Sequence, residues 1–224
     1  VTDINLSPRE KAYTCLIRAD KLWRKGFAYN LYSMDHPRYL SYLNYKYETS
    51  NQDDDWSGLS ERDKSALVSF ELKLPLRCDE TTDSEANNHK LINKKFYDNS
   101  YWNFIVETHF GQSHTTFLTE KTFKPILNLQ PFIIIGSPES LSLLKYLGYQ
   151  TFSHVINEQY DGIKDTSSRM SKLIKLCYTI GNLSDEKQIE MIKLTASQVR
   201  HNQNKLLESK ADRINELLSG LEYA

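Results

Sequence analysis

The sequence predicts an α/β fold, a parallel sheet wound with helices and followed by C-terminal helices. Short apolar runs rich in strand formers alternate with segments of helical spacing, the pattern of repeated strand–helix units. The run Pro131-Phe-Ile-Ile-Ile-Gly136 is apolar without interruption and closes on glycine, as befits a parallel strand buried on both faces. From Asp165 onward the pattern is helical only, with apolar residues at three- and four-residue steps.

In chain order, Tyr13-Thr-Cys-Leu-Ile17 reads as a buried strand. A helix from Asp20 to Tyr32 follows, with Asp20 as its N-cap and Leu22, Phe27 and Leu31 near helical spacing. Residues 39–47 alternate in the strand manner, with Tyr39, Leu43, Tyr45 and Tyr47 on one parity. Residues 48–60 form an acidic loop whose Asp53-Asp54-Asp55 is better read as solvated than as a metal site, since nothing apolar frames it. A short helix over 60–70 and a polar linker over 79–88 complete an irregular insert, 36–100. Next come a strand, Asn103-Phe-Ile-Val-Glu107, and a polar loop holding His109, Gln112 and His114. After the Pro131 strand, a helix runs over 140–147 with Gly148 as its stop. Thr151-Phe152 offers one further short strand. Met170, Leu173, Ile174 and Cys177 make one helical stripe; Ile192, Ala196, Val199, Leu206, Leu217 and Leu221 continue a second helix capped by Ser184. The division is therefore a sheet domain, 1–164, and a helical extension packed on it, 165–224.

The 224 residues are 39% hydrophobic and 25% charged, and 28 basic against 29 acidic residues leave a formal charge of −1. That balance argues against a dedicated nucleic-acid binder, so any anion site must be a local cluster. Three cysteines without C-x-x-C spacing (Cys15, Cys78, Cys177) point away from a disulfide framework or a zinc ribbon and toward a reducing, cytoplasmic setting. No stretch approaches the ~18 apolar residues of a membrane helix, and no signal peptide is visible. The first residue is Val, which reads as a processed form or a fragment.

Ligands of open parallel sheets bind outside the carboxyl ends of the strands. Glu107, the cluster Thr119-Glu120-Lys121, Gly136 and, one turn into the first helix, Arg24 all fall there. Arg24 and Lys121 could converge on one anion beside helix N-termini, whose free N–H groups favour negative charge. Glu120 and Lys121, as sequence neighbours, should point in different directions and so form no helical salt bridge. They either decorate a surface or reach two parts of one ligand. No G-x-G-x-x-G or Walker sequence is present.

Phe117-Leu-Thr-Glu-Lys121, followed by a helix and by Pro131-Phe-Ile-Ile-Ile-Gly136, resembles the donor-binding motif of the alpha-1,3-fucosyltransferases and their relatives. Phe104-Ile-Val-Glu107 resembles that family's strand ending in Glu, and residues 13–31 resemble its strand–loop–Arg–helix segment, with Arg24 at the Arg position. The likeness covers roughly residues 11–31 and 101–160. It implies one Rossmann-like half of a two-domain (GT-B) glycosyltransferase, the nucleotide-sugar-binding half, with a carbohydrate or glycoconjugate as acceptor. By position, Arg24 and Lys121 would contact the diphosphate of a nucleotide-diphosphate sugar such as a GDP-sugar. Glu120 would accept from the ribose hydroxyls, and Phe117 would pack on base or ribose. The resemblance implies no metal and no separate cofactor, because fixed cations and helix N–H groups can stabilise the departing diphosphate. In that family the general base comes from the other, N-terminal domain, so a missing GT-B half is the implied partner.

Each residue also has a plainer role. Lys121 and Arg24 could be solvated cations on helices, Glu120 a favourable first-turn acid, Phe117 a core anchor and Glu107 a brace for its loop. Tyr160-Asp161 offers a further substrate contact. Phe117 stands where the family usually carries Tyr, and Pro125 falls where its helix continues. Pro125 should therefore kink that helix or mark its first position, the latter leaving Glu120 and Lys121 on a loop. A non-catalytic nucleotide-binding or interaction module is the alternative function, whereas no paired-carboxylate or nucleophile–base arrangement supports a hydrolase.

Overall fold

The computed structural model describes residues 4–35, 37–45, 59–78, 92–111 and 116–221, with side chains described for all of these except 44–45 and 211–221. Asp53-Asp54-Asp55, the linker 79–88, Tyr47, Gln112 and His114 lie outside the described residues, as do the side chains of Tyr45, Leu217 and Leu221.

Among the described residues, four parallel strands form one sheet: β1 (Lys11–Ala19), β2 (Arg38–Tyr45), β3 (Ser100–Val106) and β4 (Phe132–Ile135), in the order β2-β1-β3-β4. The helices are α1 (Leu22–Tyr32), α2 (Glu61–Glu71), α3 (Lys94–Asp98), α4 (Glu120–Leu127), α5 (Ser140–Tyr146), α6 (Thr166–Gly181) and α7 (Asp185–Leu221), with a 3₁₀ turn at Gln159–Gly162. The chain is thus α/β, a Rossmann-like parallel sheet followed by C-terminal helices. The connection from β1 leads to one side of the sheet and that from β3 to the other. With right-handed crossovers, α1 and α4 therefore cover opposite faces. Accordingly α1 packs with α2 and α6, and α4 with α7.

β4 is a continuous apolar run and β3 nearly so, because both faces of the sheet are covered there. All of β3 and β4 is buried. On β1, Tyr13, Cys15 and Ile17 share a core with Phe27 and Leu31 of α1 and with Leu173 and Cys177 of α6. Partners in a parallel ladder share a face, so Tyr13 paired with Trp102 brings the Tyr13 and Phe104 rings into a stack at 4.1 Å. The C-terminal helices close the sheet's amino end with polar bonds: Trp102 Nε1 donates to Gln188 Oε1 at 3.0 Å and the Tyr101 hydroxyl to Asp185 Oδ1 at 3.1 Å. Ser184 Oγ accepts from Lys187 N at 3.4 Å, capping α7. Among the described residues, no helix is long and apolar enough to cross a membrane.

Several elements differ from the sequence reading. The strand read over 39–47 and the helix read over 60–70 form as β2 and α2, but the region 36–100, read as an irregular insert, thereby supplies an edge strand of the sheet and also holds α3, which was not read. The N-cap of α1 is Lys21, because the Asp20 carboxylate is taken by the Tyr42 hydroxyl at 2.6 Å. Thr151 and Phe152 form no strand: the Glu158 carboxylate accepts from Phe152 N (2.6 Å) and Thr151 Oγ1 (2.8 Å), so the backbone is satisfied locally. Phe152 instead packs edge-on against Trp102 and Phe132.

Pro125 neither breaks nor starts the motif helix. α4 begins at Glu120 and carries Pro125 as its sixth residue. The missing N–H costs one bond in the first turns, while Asn128 N and Gln130 N still reach the Pro125 carbonyl at 3.1 and 3.0 Å. What fixes the start is the cap, described next.

Candidate functional site at the carboxyl edge of the sheet

Between β1 and β3 the chain departs in opposite directions, which makes a topological switch point, the usual ligand crevice of such sheets. The β1–β2 ladder runs to Ala19–Tyr45, but the β1–β3 register runs only Lys11–Ser100, Tyr13–Trp102 and Thr14–Asn103. The two central strands are therefore unlaced over their carboxyl halves. Arg24, third residue of α1 and 4% exposed, spans that opening: Nη2 donates to the Glu107 carbonyl at 2.5 Å and Nη1 to the Ala19 carbonyl at 3.5 Å. Lys21 Nζ adds a 3.4 Å bond to the next carbonyl, Thr108.

Glu107 is the hub on the β3 side. Its carboxylate is 1% exposed and accepts three hydrogen bonds, from Thr119 N at 3.0 Å, Thr119 Oγ1 at 2.6 Å and Thr122 Oγ1 at 2.7 Å. Thr119 in turn caps α4, its hydroxyl oxygen accepting from Lys121 N at 3.4 Å. A carboxylate set on the orphan donors of a helix start is favourable on both hydrogen-bonding and dipole grounds. Gly136, just past β4, allows the close approach: a Cβ there would lie 3.3 Å from Glu107 Cβ and 3.2 Å from both Ser140 Oγ and Ile134 Cγ2. Arg24, Glu107, Thr119 and Gly136 are thus one packed unit. Arg24 meets it through the carbonyl of Glu107, and α4 meets it through the carboxylate.

Glu120 and Lys121 stand at the solvent end of this unit, and here the sequence reading needs correction. The neighbours touch: Lys121 Nζ lies 3.4 Å from Glu120 Oε1 and donates to Thr119 Oγ1 at 3.1 Å. Folding back onto the cap carries the amine over the first turn, where the divergence of neighbours in a helix interior does not apply. Burial acts to raise the Glu120 carboxyl, but Lys121, the backbone and Lys124 outweigh it, and the group sits below its ordinary value. Burial lowers the Lys124 amine, with Glu120 opposing and Lys121 adding to the effect. Phe117 is 55% exposed on the approach to α4 and anchors no core. Thr116 beside it donates to the Pro138 carbonyl at 3.2 Å, tying this loop to the one after β4.

Asp161, read from sequence as a substrate contact, has its carboxylate on α5 instead, accepting from Leu141 N at 2.9 Å and Ser142 N at 3.1 Å. His109 is exposed on the loop after β3. Two clusters at the same edge escaped the sequence reading. Lys25 is buried between Asp20, at 3.4 Å, and Glu71 of α2. Arg169 of α6, wholly buried, donates to the carbonyls of Phe110 and Ile163. A basic residue inside an apolar helical stripe was the available signal for each, but their partners lie far away in sequence. Among the described residues, no group of His, Cys, Asp and Glu is arranged to hold a metal ion.

No family model matches the chain, and comparisons with curated proteins and with solved structures give no match.

Proposed function

We propose that this chain is a nucleotide-sugar-binding unit of a glycosyltransferase resembling the fucosyltransferases, taking a nucleotide-diphosphate sugar such as a GDP-sugar and passing the sugar to a carbohydrate or glycoconjugate acceptor with inversion. The observation that carries the reading is the capped start of α4 at the carboxyl edge, where the Glu107–Thr119 bonds hold Glu120 and Lys121 in place.

Lys121, at the positive end of α4, would receive the diphosphate. Side chains of Glu120 and Lys121 are 43% and 33% exposed, and such exposed ion pairs are worth only ~0–1 kcal/mol. A diphosphate can therefore draw Lys121 away at little cost. That leaves the ionised Glu120 to accept from the ribose hydroxyls, a role its lowered carboxyl suits. Exposed Phe117 is free to close over the base or ribose. Arg24 supports the site from behind, since direct contact with phosphate requires its guanidinium to leave the Ala19 and Glu107 carbonyls. Charge developing on the leaving diphosphate would meet donors already in position. A general base is expected from a separate N-terminal domain.

A thermal-shift panel of GDP, UDP and ADP tests the proposal. At a hundredfold excess over Kd a true ligand adds about 2.7 kcal/mol, roughly 5–10 °C for a chain of this size. Lys121→Ala should abolish the shift while leaving the unliganded midpoint within about 1 °C, as for a surface substitution. No shift with any nucleotide sinks the proposal. Binding without transfer is what the proposal expects of this chain by itself; only if a nucleotide sugar, acceptors and an N-terminal GT-B half together still give no transfer is the non-catalytic nucleotide-binding module favoured.

A further inference from the structure

We infer that Arg169, in the helix that follows the sheet domain, is a positioning residue for the nucleotide site, acting on it through the loop after β3; the inference rests on the nucleotide reading above. That loop is held by cations at three carbonyls. Arg24 takes the carbonyl of Glu107, Lys21 that of Thr108 and Arg169 that of Phe110. The first two come from the start of α1, beside the crevice. The third comes from α6, 59 residues further along the chain.

Ring geometry joins the same groups. Arg24 Cζ lies 5.2 Å from the Trp23 ring centroid. Trp23 and Phe110 stack at 4.9 Å and 20°. Arg169 Cζ lies 4.4 Å from the Phe110 centroid. The order Arg24, Trp23, Phe110, Arg169 is a four-member series of ring contacts that joins α1, the loop after β3 and α6. At its far end, Arg169 Nη1 donates to the Ile163 carbonyl at 2.6 Å while Nη2 holds Phe110. The planar guanidinium bridges two chain segments through two separate nitrogens in a fixed fork, a geometry that a lysine ammonium, a compact charge on a flexible stem, does not reproduce. Arg169 is 0% exposed, and its hydrogen bonds all go to backbone carbonyls. Burying a cation on carbonyls is a costly way to fasten a helix. It is a direct way to fix the loop whose first residue, Glu107, sets both Arg24 and the start of α4.

The test uses the full chain and GDP. Arg169→Lys keeps the charge and loses the fork and the ring-stacking plane, so GDP affinity should fall about tenfold. Backbone amides of residues 108–111 should exchange faster, and those of β1 and β3 should stay protected. A merely structural role would lower the melting temperature and leave Kd, measured far below it, unchanged. If Arg169→Lys does not fold, Phe110→Leu removes the ring between the two arginines and should give the same loss and the same local exchange. GDP binding at wild-type affinity in a folded variant overturns the inference and spares the nucleotide reading. A wild-type chain that binds no nucleotide overturns both.

Discussion

Two buried carboxylates end the two central strands, and they are satisfied in opposite ways. Asp20, after β1 and 4% exposed, meets the Lys25 ammonium and the Tyr42 hydroxyl. Glu107, after β3 and 1% exposed, meets an N–H and two hydroxyls at the start of α4. The Asp20 side is a closed ion network: Lys25 also pairs with Glu71, which ties α2 to the β1–α1 turn. Its two buried charges, Asp20 and Lys25, are paired with each other. The Glu107 side uses its charge on helix dipoles and hydroxyls, leaving Glu120 and Lys121 at the surface to meet a ligand. One strand end is a lock and the other a mount.

Lys25→Met breaks the lock and should give the largest effect. It leaves Asp20 buried without its cation, and removing one member of a buried pair costs roughly 3–5 kcal/mol. Urea unfolding measures this as a lower midpoint at unchanged slope. Burial pulls the Lys25 amine down, but Glu71 and Asp20 outweigh it, so its value stands above the ordinary one. The charged form is thus favoured by folding. Its contribution is complete below the unfolded lysine value of about 10.4 and is lost as pH rises through the folded value. The deficit of Lys25→Met should therefore be constant from pH 7 to 9 and shrink only in strong alkali. If nucleotide affinity in the folded variant falls as far as stability does, the division into lock and mount is wrong.

Glu107→Ala strikes the mount. It orphans the Thr119 N–H and two buried hydroxyls, at about 1 kcal/mol each, for a total near ~3 kcal/mol. Unlike Lys25→Met, it should also loosen the start of α4 and lose nucleotide binding at temperatures where the chain is still folded. Calorimetry on both variants gives the contrast directly.

The two ends were unequally legible. The Pro131–Gly136 run and the strand ahead of Glu107 could be read because a doubly covered parallel strand needs uninterrupted apolar residues. The start of α4 at Glu120 was left open by Pro125, because what settles the matter is the Thr119 cap and its tie to Glu107, 12 residues before it. Partners at such separations leave no periodic trace. The same holds for Arg169 on Phe110, at a separation of 59; β2 did show as alternation over 39–47, but its place beside β1 at the sheet's edge left no trace. The Glu120–Lys121 contact was missed for a local reason: the rule for neighbouring residues describes a helix interior, and Lys121 folds back onto a cap.

Asp161→Asn gives the smallest effect and sharpens what kind of mount Glu107 is. Asp161 is a second carboxylate on helix N–H groups, those of Leu141 and Ser142, but it serves a helix with no candidate ligand residues. Burial raises its carboxyl above the ordinary aspartate value, against the pull of those N–H groups, the Ser142 hydroxyl and Lys145. A raised carboxyl binds its proton more tightly folded than unfolded, so stability falls as pH rises from the unfolded value to the folded one. Asn retains an acceptor for the N–H groups and has nothing to ionise. The variant should lose about 1 kcal/mol below that window, as for a weakened cap, and narrow the gap above it, with nucleotide affinity unchanged throughout. Melting curves taken stepwise from pH 3 to 7 decide the point: a deficit that widens with pH would show that ionised Asp161 contributes to the fold, and that a charged carboxylate on a helix start is no mark of the ligand side.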